Sequence, residues 1–262
     1  MKLLKSEFLK LLYQRRTYGI VLAGIAISVL STAFTPYALQ RIGKGIIMPL
    51  SSASGVDGVY SKSLSGYIFA LILGVLIMSS EYQHHTAIAT FLATPKRLQV
   101  LLSKIAVAAI SGAVINLVSA GIGMASGAFA LTFFKNVAAP DSYIFADFFG
   151  SAALTGAVLG VMGVSIGTLI RNQNAAVTTS VIWFGFVDRI LAVIWSEIGK
   201  YLPTGLITAM MNLHLDVKVK TVGLNFNTGD YLDPWPAAGL LLVYGIVFGV
   251  VAVLTSLRRD ID

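Results

Sequence analysis

Cysteine is absent from this 262-residue chain, which excludes a disulfide framework, a thiolate metal site and a cysteine nucleophile. Charge is scarce: 12% of residues are Asp, Glu, Lys or Arg, against roughly 25% in a soluble domain. Histidine occurs only at His84, His85 and His214. No G-x-x-x-x-G-K-[ST] run is present, so no phosphate-cradling loop is expected. There is no repeat with a period of about 20–50 residues and no low-complexity tract. What fills the chain is apolar: 56% of residues are hydrophobic and the mean hydropathy is +0.81. That composition reads as an integral membrane protein. The net charge of +7 would suggest nucleic acid in a soluble protein, but here Lys and Arg cluster beside apolar runs, where they set membrane orientation. No nucleic-acid partner is expected.

Six apolar runs approach the ~20 residues that cross a bilayer core. They lie at about 18–39, 64–80, 103–130, 148–170, 175–195 and 235–257. The first is longer than the ~7–15 residues of a signal-peptide core and is expected to remain as a span. The whole chain, 1–262, reads as one all-α membrane domain. Lys2, Lys5, Lys10, Arg15, Arg16, Lys96, Arg97, Lys104, Arg171, Arg258 and Arg259 fall on the side of the N-terminus, and fewer basic residues fall opposite. Both termini are therefore expected in the cytoplasm.

Met1 to Arg16 places Leu4, Phe8, Leu11 and Leu12 on one helical stripe, with Lys2, Lys5, Lys10 and Arg15 mostly off it. Such a helix is expected to lie along the inner leaflet as an elbow, lysines toward anionic headgroups; the plainer alternative is a solvated basic tail. The 40–63 stretch is rich in Gly and Ser and reads as an external connector. Arg171 to Asn174 reads as a tight cytoplasmic turn. Tyr201 to Leu213 is apolar for about 13 residues, a length read as re-entrant or interfacial rather than spanning. Pro203 and Gly205 permit a helix to start or break there, and a surface loop helix is the alternative. Asn225 to Asp233 reads as a polar turn.

Between the second and third runs lies EYQHHTAIATFLATPKRLQVLL, Glu81 to Leu102. Ile88, Phe91 and Leu92 share one face of a short helix over Thr86–Thr94, a face that can grip a partner. Thr94-Pro95 then supplies an N-cap and first helical residue for the next helix. Glu81 and His84 stand at i, i+3, a spacing used by carboxylate metal sites. Catalytic zinc takes three protein ligands, and His214 falls across the membrane, so no metal is expected. Glu81 instead marks where the second span leaves the bilayer, a depth at which a carboxylate needs a cationic partner: Arg97, Arg171 or a basic residue of another subunit. Asp188 and Arg189 sit roughly 20 Å along the fifth span and point ~100° apart. Either they line a transport pathway or meet another helix, or the span ends earlier and both are interfacial. Trp183, Trp195 and Trp235 read as interface anchors or packing residues. Gly112, Gly121, Gly123, Gly156, Gly160, Gly163 and Gly167 would let helices approach closely.

Glu81, Tyr82 and Thr86, followed by Thr-Phe-Leu-Ala-Thr-Pro-Lys-Arg through Pro95 and Arg97, resemble the E-Y-x-x-G-T…L-x-x-P-x-R segment of bacterial ABC type-2 exporter permeases. His85 stands where that family more often has glycine. Leu169 to Asn174, Tyr201 to Pro203 and the terminal Arg-Arg-Asp are similar to actinobacterial members. The resemblance implies a multi-pass plasma-membrane permease for multidrug efflux or export of a lipid, peptide or polymer. It implies a coupling helix after Glu81, with Glu81, Tyr82, His84, Thr86, Phe91, Pro95 and Arg97 facing an ATPase. It also implies two copies of a separate ABC ATPase carrying ATP and Mg, and a second permease, identical or paralogous. This chain would bind no cofactor and catalyse nothing itself. Two readings from other classes stand beside it: an ATP-independent carrier or channel, and an intramembrane metal hydrolase using Glu81 and His84.

Overall fold

The computed structural model describes residues 2–42, 50–83, 97–140, 144–170, 172–210, 218–221, 224–227 and 232–258. A short helix α1 (Lys2–Tyr13) breaks at Gln14 and continues as the long α2 (Arg15–Ile42). Helix α3 (Ala53–Ser61) and a 3-10 turn (Lys62–Gly66) lead into α4 (Ile68–Gln83). Helices α5 (Arg97–Leu131) and α6 (Ile144–Leu169) follow. Then come α7 (Gln173–Ile182), a π-helical turn (Trp183–Val187), α8 (Asp188–Ile194), α9 (Ser196–Gly199) and α10 (Pro203–Met210). An antiparallel hairpin, β1 (Lys218–Thr221) with β2 (Leu224–Asn227), precedes the last helix α11 (Pro234–Arg258).

Among the described residues, six helical stretches are long and apolar enough to cross a membrane: Arg15–Gln40, Gly55–Gln83, Leu98–Leu131, Phe148–Leu169, Gln173–Ala192 and Pro234–Val251. The protein is thus a multi-pass helical membrane protein, with its spans where the apolar runs place them. Two short stretches depart from expectation. The 40–63 segment is not merely a connector: Ser52 caps α3 by accepting the Gly55 N–H at 3.2 Å, and Val56, Val59, Tyr60 and Leu64 pack on Phe148, Ala120 and Met124. The buried valines are spaced for one face of a helix, a signal too short to stand out among the glycines and serines. Likewise Leu224–Asn227 is a strand, so the polar turn read at Asn225 does not begin there.

Helix α6 is the centre of the bundle, packing on α4, α5 and α11. Without a strong hydrophobic drive between helices in lipid, close backbone approach supplies the packing. At Gly156 the backbones of α5 and α6 touch, and a Cβ there would collide with the Gly112 carbonyl oxygen. At Gly160 and Gly163 the same contact is made with Ala108 and Leu71. Gly121 meets only the Phe149 ring at 3.7 Å and has no such role. Buried hydroxyls in the spans, including Ser79, Ser111, Thr168 and Ser180, donate to carbonyls four residues back, which satisfies them without a second helix.

Candidate functional site

Four charged side chains from three helices meet at the end of the bundle where α1 packs. Glu7 and Lys10 stand one turn apart on α1, Glu81 lies in the last turn of α4, and Lys104 lies two turns into α5. Lys104 Nζ is 2.6 Å from Glu7 Oε2 and 2.7 Å from Glu81 Oε1. Lys10 Nζ is 2.6 Å from Glu7 Oε1 and 3.1 Å from Glu81 Oε1. Two anions and two cations alternate around a closed ring, so the cluster is neutral. Lys104 is 0% exposed, Glu7 4% and Glu81 7%, whereas the Lys10 side chain is 47% exposed.

The apolar frame explains the burial. Leu11 packs with Leu73, Val107 and Ile115, and Phe8 lies against the same cluster. That contact seats α1 on α4 and α5 and turns Glu7 inward. Burial alone would push the Glu7 carboxyl up, but Lys104 and Lys10 outweigh it and hold it below its ordinary value. Burial would push the Lys10 ammonium down, yet Glu7 and Glu81 together raise it. Glu7 and Lys10 are thus each held in the charged form by their neighbours. Glu81 Oε2 is buried with no hydrogen-bond partner among the described residues.

The structure alters three readings. Glu81 pairs with Lys104 and Lys10, partners the sequence reading did not name; the Arg97 side chain and Arg171 lie outside the described residues. Lys10 turns to two carboxylates instead of standing free toward headgroups. The stripe Leu4, Phe8, Leu11, Leu12 is split, since Leu11 is buried while Leu4 and Leu12 are exposed. The physical reason is common to all three: a buried Lys104 requires carboxylates, and supplying Glu7 rotates α1 about its axis. Sequence reading missed Lys10 and Lys104 as partners of Glu81, and Glu7 as the second carboxylate they share. The available signal was a lysine inside the third apolar run, with Glu7 as the only acid before the first span.

Tyr82 is half-buried against Met78, Leu101, Ala108 and Val164. His84, Thr86, Phe91 and Pro95, with the whole Thr86–Thr94 helix, lie outside the described residues, as do all three histidines. At the same end of the bundle, Arg16 donates to Gln173 Oε1 at 3.4 Å, joining the start of the first span to the start of the fifth.

Asp188 and Arg189 separate as neighbours on a helix must. Asp188 is 0% exposed and its Oδ2 accepts the Thr204 backbone N–H at 3.0 Å; Arg189 is exposed. Asp188 therefore meets another helix, and the structure does not bring it to the Glu81 cluster. A wholly apolar groove of about 520 Å³ runs between α5, α6 and α11, lined by residues such as Leu102, Ala157, Gly245 and Gly249.

The fold and the site define a helical multi-pass membrane protein with a neutral buried ion cluster joining three helices at one end. No protein-family model matches the chain, and no curated protein matches it.

Proposed function

We propose that the chain is the membrane-spanning permease subunit of an ATP-binding cassette exporter. The observation that carries the reading is the charge ring around Glu81. The segment after Glu81 has the amphipathic pattern of a helix that another protein grips, and its root is tied by ion pairs to α1 and to the start of α5. A push on that segment reaches two spans and the N-terminal helix together, because Lys104 of α5 and Lys10 of α1 each bridge Glu7 and Glu81. The chain itself shows no nucleotide motif, so ATP and Mg belong to a separate ATPase, bound in two copies to a pair of permeases. In this reading α1 is the cytoplasmic elbow, both termini are inside the bacterial plasma membrane, and α10 dips back from the outer face before the last span. Substrates are amphipathic or apolar molecules such as drugs, lipids, peptides or polymers.

The test is affinity purification of the tagged full chain in mild detergent, followed by vesicle transport with the ATPase recovered. The expected result is a soluble ATPase in stoichiometric amount, whose activity is uncoupled from transport by Phe91→Asp without loss of the permease from the membrane. Recovery of the chain with no ATPase, or wild-type coupling in the variant, would refute the assignment.

A further inference from the structure

We propose that Asp188 is a latch: it caps the short helix α10 from a different helix, so that α8 and α10 move as one body. This inference stands on geometry and does not depend on the transport reading.

The first turn of α10 lacks a cap of its own. The Leu202 carbonyl accepts the Leu206 N–H at 2.9 Å, which makes Leu202 the N-cap residue. Leucine carries no side-chain oxygen for the free amides of the first turn, and it ranks among the poorest N-cap residues. Pro203 has no N–H to satisfy. The next amide, Thr204, is the one that Asp188 Oδ2 accepts, across 16 residues of chain. The carboxylate thus supplies the oxygen that Leu202 lacks, at the helix end where a negative charge is favoured.

The backbone around Asp188 is shaped for this. Ala176, Ser180, Phe184 and Asp188 are all buried and follow one another in steps of four. In a regular α-helix each such step advances ~40° around the axis, so Asp188 would leave the buried face. The π turn at Trp183–Val187 takes more residues per turn and returns it. The other end of α10 is held in the same manner, since Ser151 on α6 donates to the Met210 carbonyl at 2.8 Å. Between the two anchors Leu206, Ile207 and Met210 pack with Phe184 and Leu241. Asp188 Oδ1 is buried and has no hydrogen-bond partner among the described residues. An unmet oxygen in a dry site is costly, a cost set against the bond to Thr204.

The experiment is amide hydrogen exchange on the full chain in nanodiscs, read at residues 204–210. Asp188→Ala is expected to speed exchange in α10 roughly 5–30-fold, the range for losing an N-cap, and to leave α6 and α11 at wild-type rates. Adding Leu202→Ser, which restores a cap within α10 itself, is expected to bring exchange back to wild type in the double variant. If Asp188→Ala does not accumulate in the membrane, Asp188→Leu, which keeps the volume and removes both acceptor oxygens, carries the same comparison with Leu202→Ser. Unchanged exchange in α10, a rise spread evenly over the bundle, or a failure of Leu202→Ser to restore protection would each overturn the latch.

Discussion

Replacing Lys104 by methionine separates a structural ion cluster from an incidental one. The substitution keeps the apolar stem and deletes two contacts, at 2.6 and 2.7 Å. At an effective dielectric constant of about 20, each is a gross attraction of about 6 kcal/mol, most of it offset by desolvation of the ions. What remains after Lys104→Met is Glu7 beside Glu81 with only the half-exposed Lys10 between them. Removing one member of a buried pair costs about 3–5 kcal/mol, which for a chain of this size lowers Tm by about 6–20 °C. Lys10→Met, by contrast, removes a cation that is 47% exposed and is expected to cost no more than about 1 kcal/mol. The decisive arm is Lys104→Met with Glu7→Gln, which leaves one anion facing one cation and is expected to melt above Lys104→Met alone. Thermal unfolding of all variants in one detergent reads the ordering. Equal Tm values for the Lys104 and Lys10 variants, or a double variant less stable than the single, would show that the ring does not act as one buried unit.

Other expectations follow from the same contacts. Gly156→Val forces apart α5 and α6 where their backbones touch and is expected to cost about 1–3 kcal/mol, read as a lowered Tm. Ser151→Ala leaves the Met210 carbonyl without its donor and is expected to cost about 1–3 kcal/mol; unchanged melting would mean that another donor takes its place. Stability should be flat near neutral pH and fall at both extremes. The lowered Glu7 group contributes above its unfolded value of 4.5 and is lost as pH drops through its folded value below that. The raised Lys10 group contributes below 10.5 and is lost as pH climbs through its folded value above that. A melting profile in which the Glu7→Gln variant retained the full acid limb would contradict the first half.

Spans were legible because a stretch of about 20 apolar residues has few alternatives, and the six runs reappear as six helices. The packing glycines were legible for the same reason: steps of three or four put Gly156, Gly160, Gly163 and Gly167 near one side of α6, and all four meet neighbouring backbone. The partners of Glu81 were not. A charged residue at a span end reads equally as an orientation signal or as half of an ion pair, and the choice depends on which helices lie together. Lys104 stands 97 residues from Glu7 in the chain, and no local pattern joins them. The π turn was hidden too, because its residues, Trp183 to Val187, suit an ordinary helix; it is seen in the backbone hydrogen bond from the Asp188 N–H to the Trp183 carbonyl.

The two ends of the bundle meet their polar demands in different ways, and the difference bears on what each end can do. Around Glu81 each of the four charges has a counter-charge within 3.1 Å, so three helices are held by one neutral ring, costly to break at buried Lys104. In the proposed exporter a displacement applied there would be transmitted rather than absorbed. Around Asp188 one carboxylate holds the first turn of one short helix, and, like Glu81 Oε2, its second oxygen is unmet among the described residues. Losing that bond costs no more than a helix cap. In the proposed exporter, a root tied by several ion pairs at one end and a single cap at the other would let force applied at the first become movement at the second.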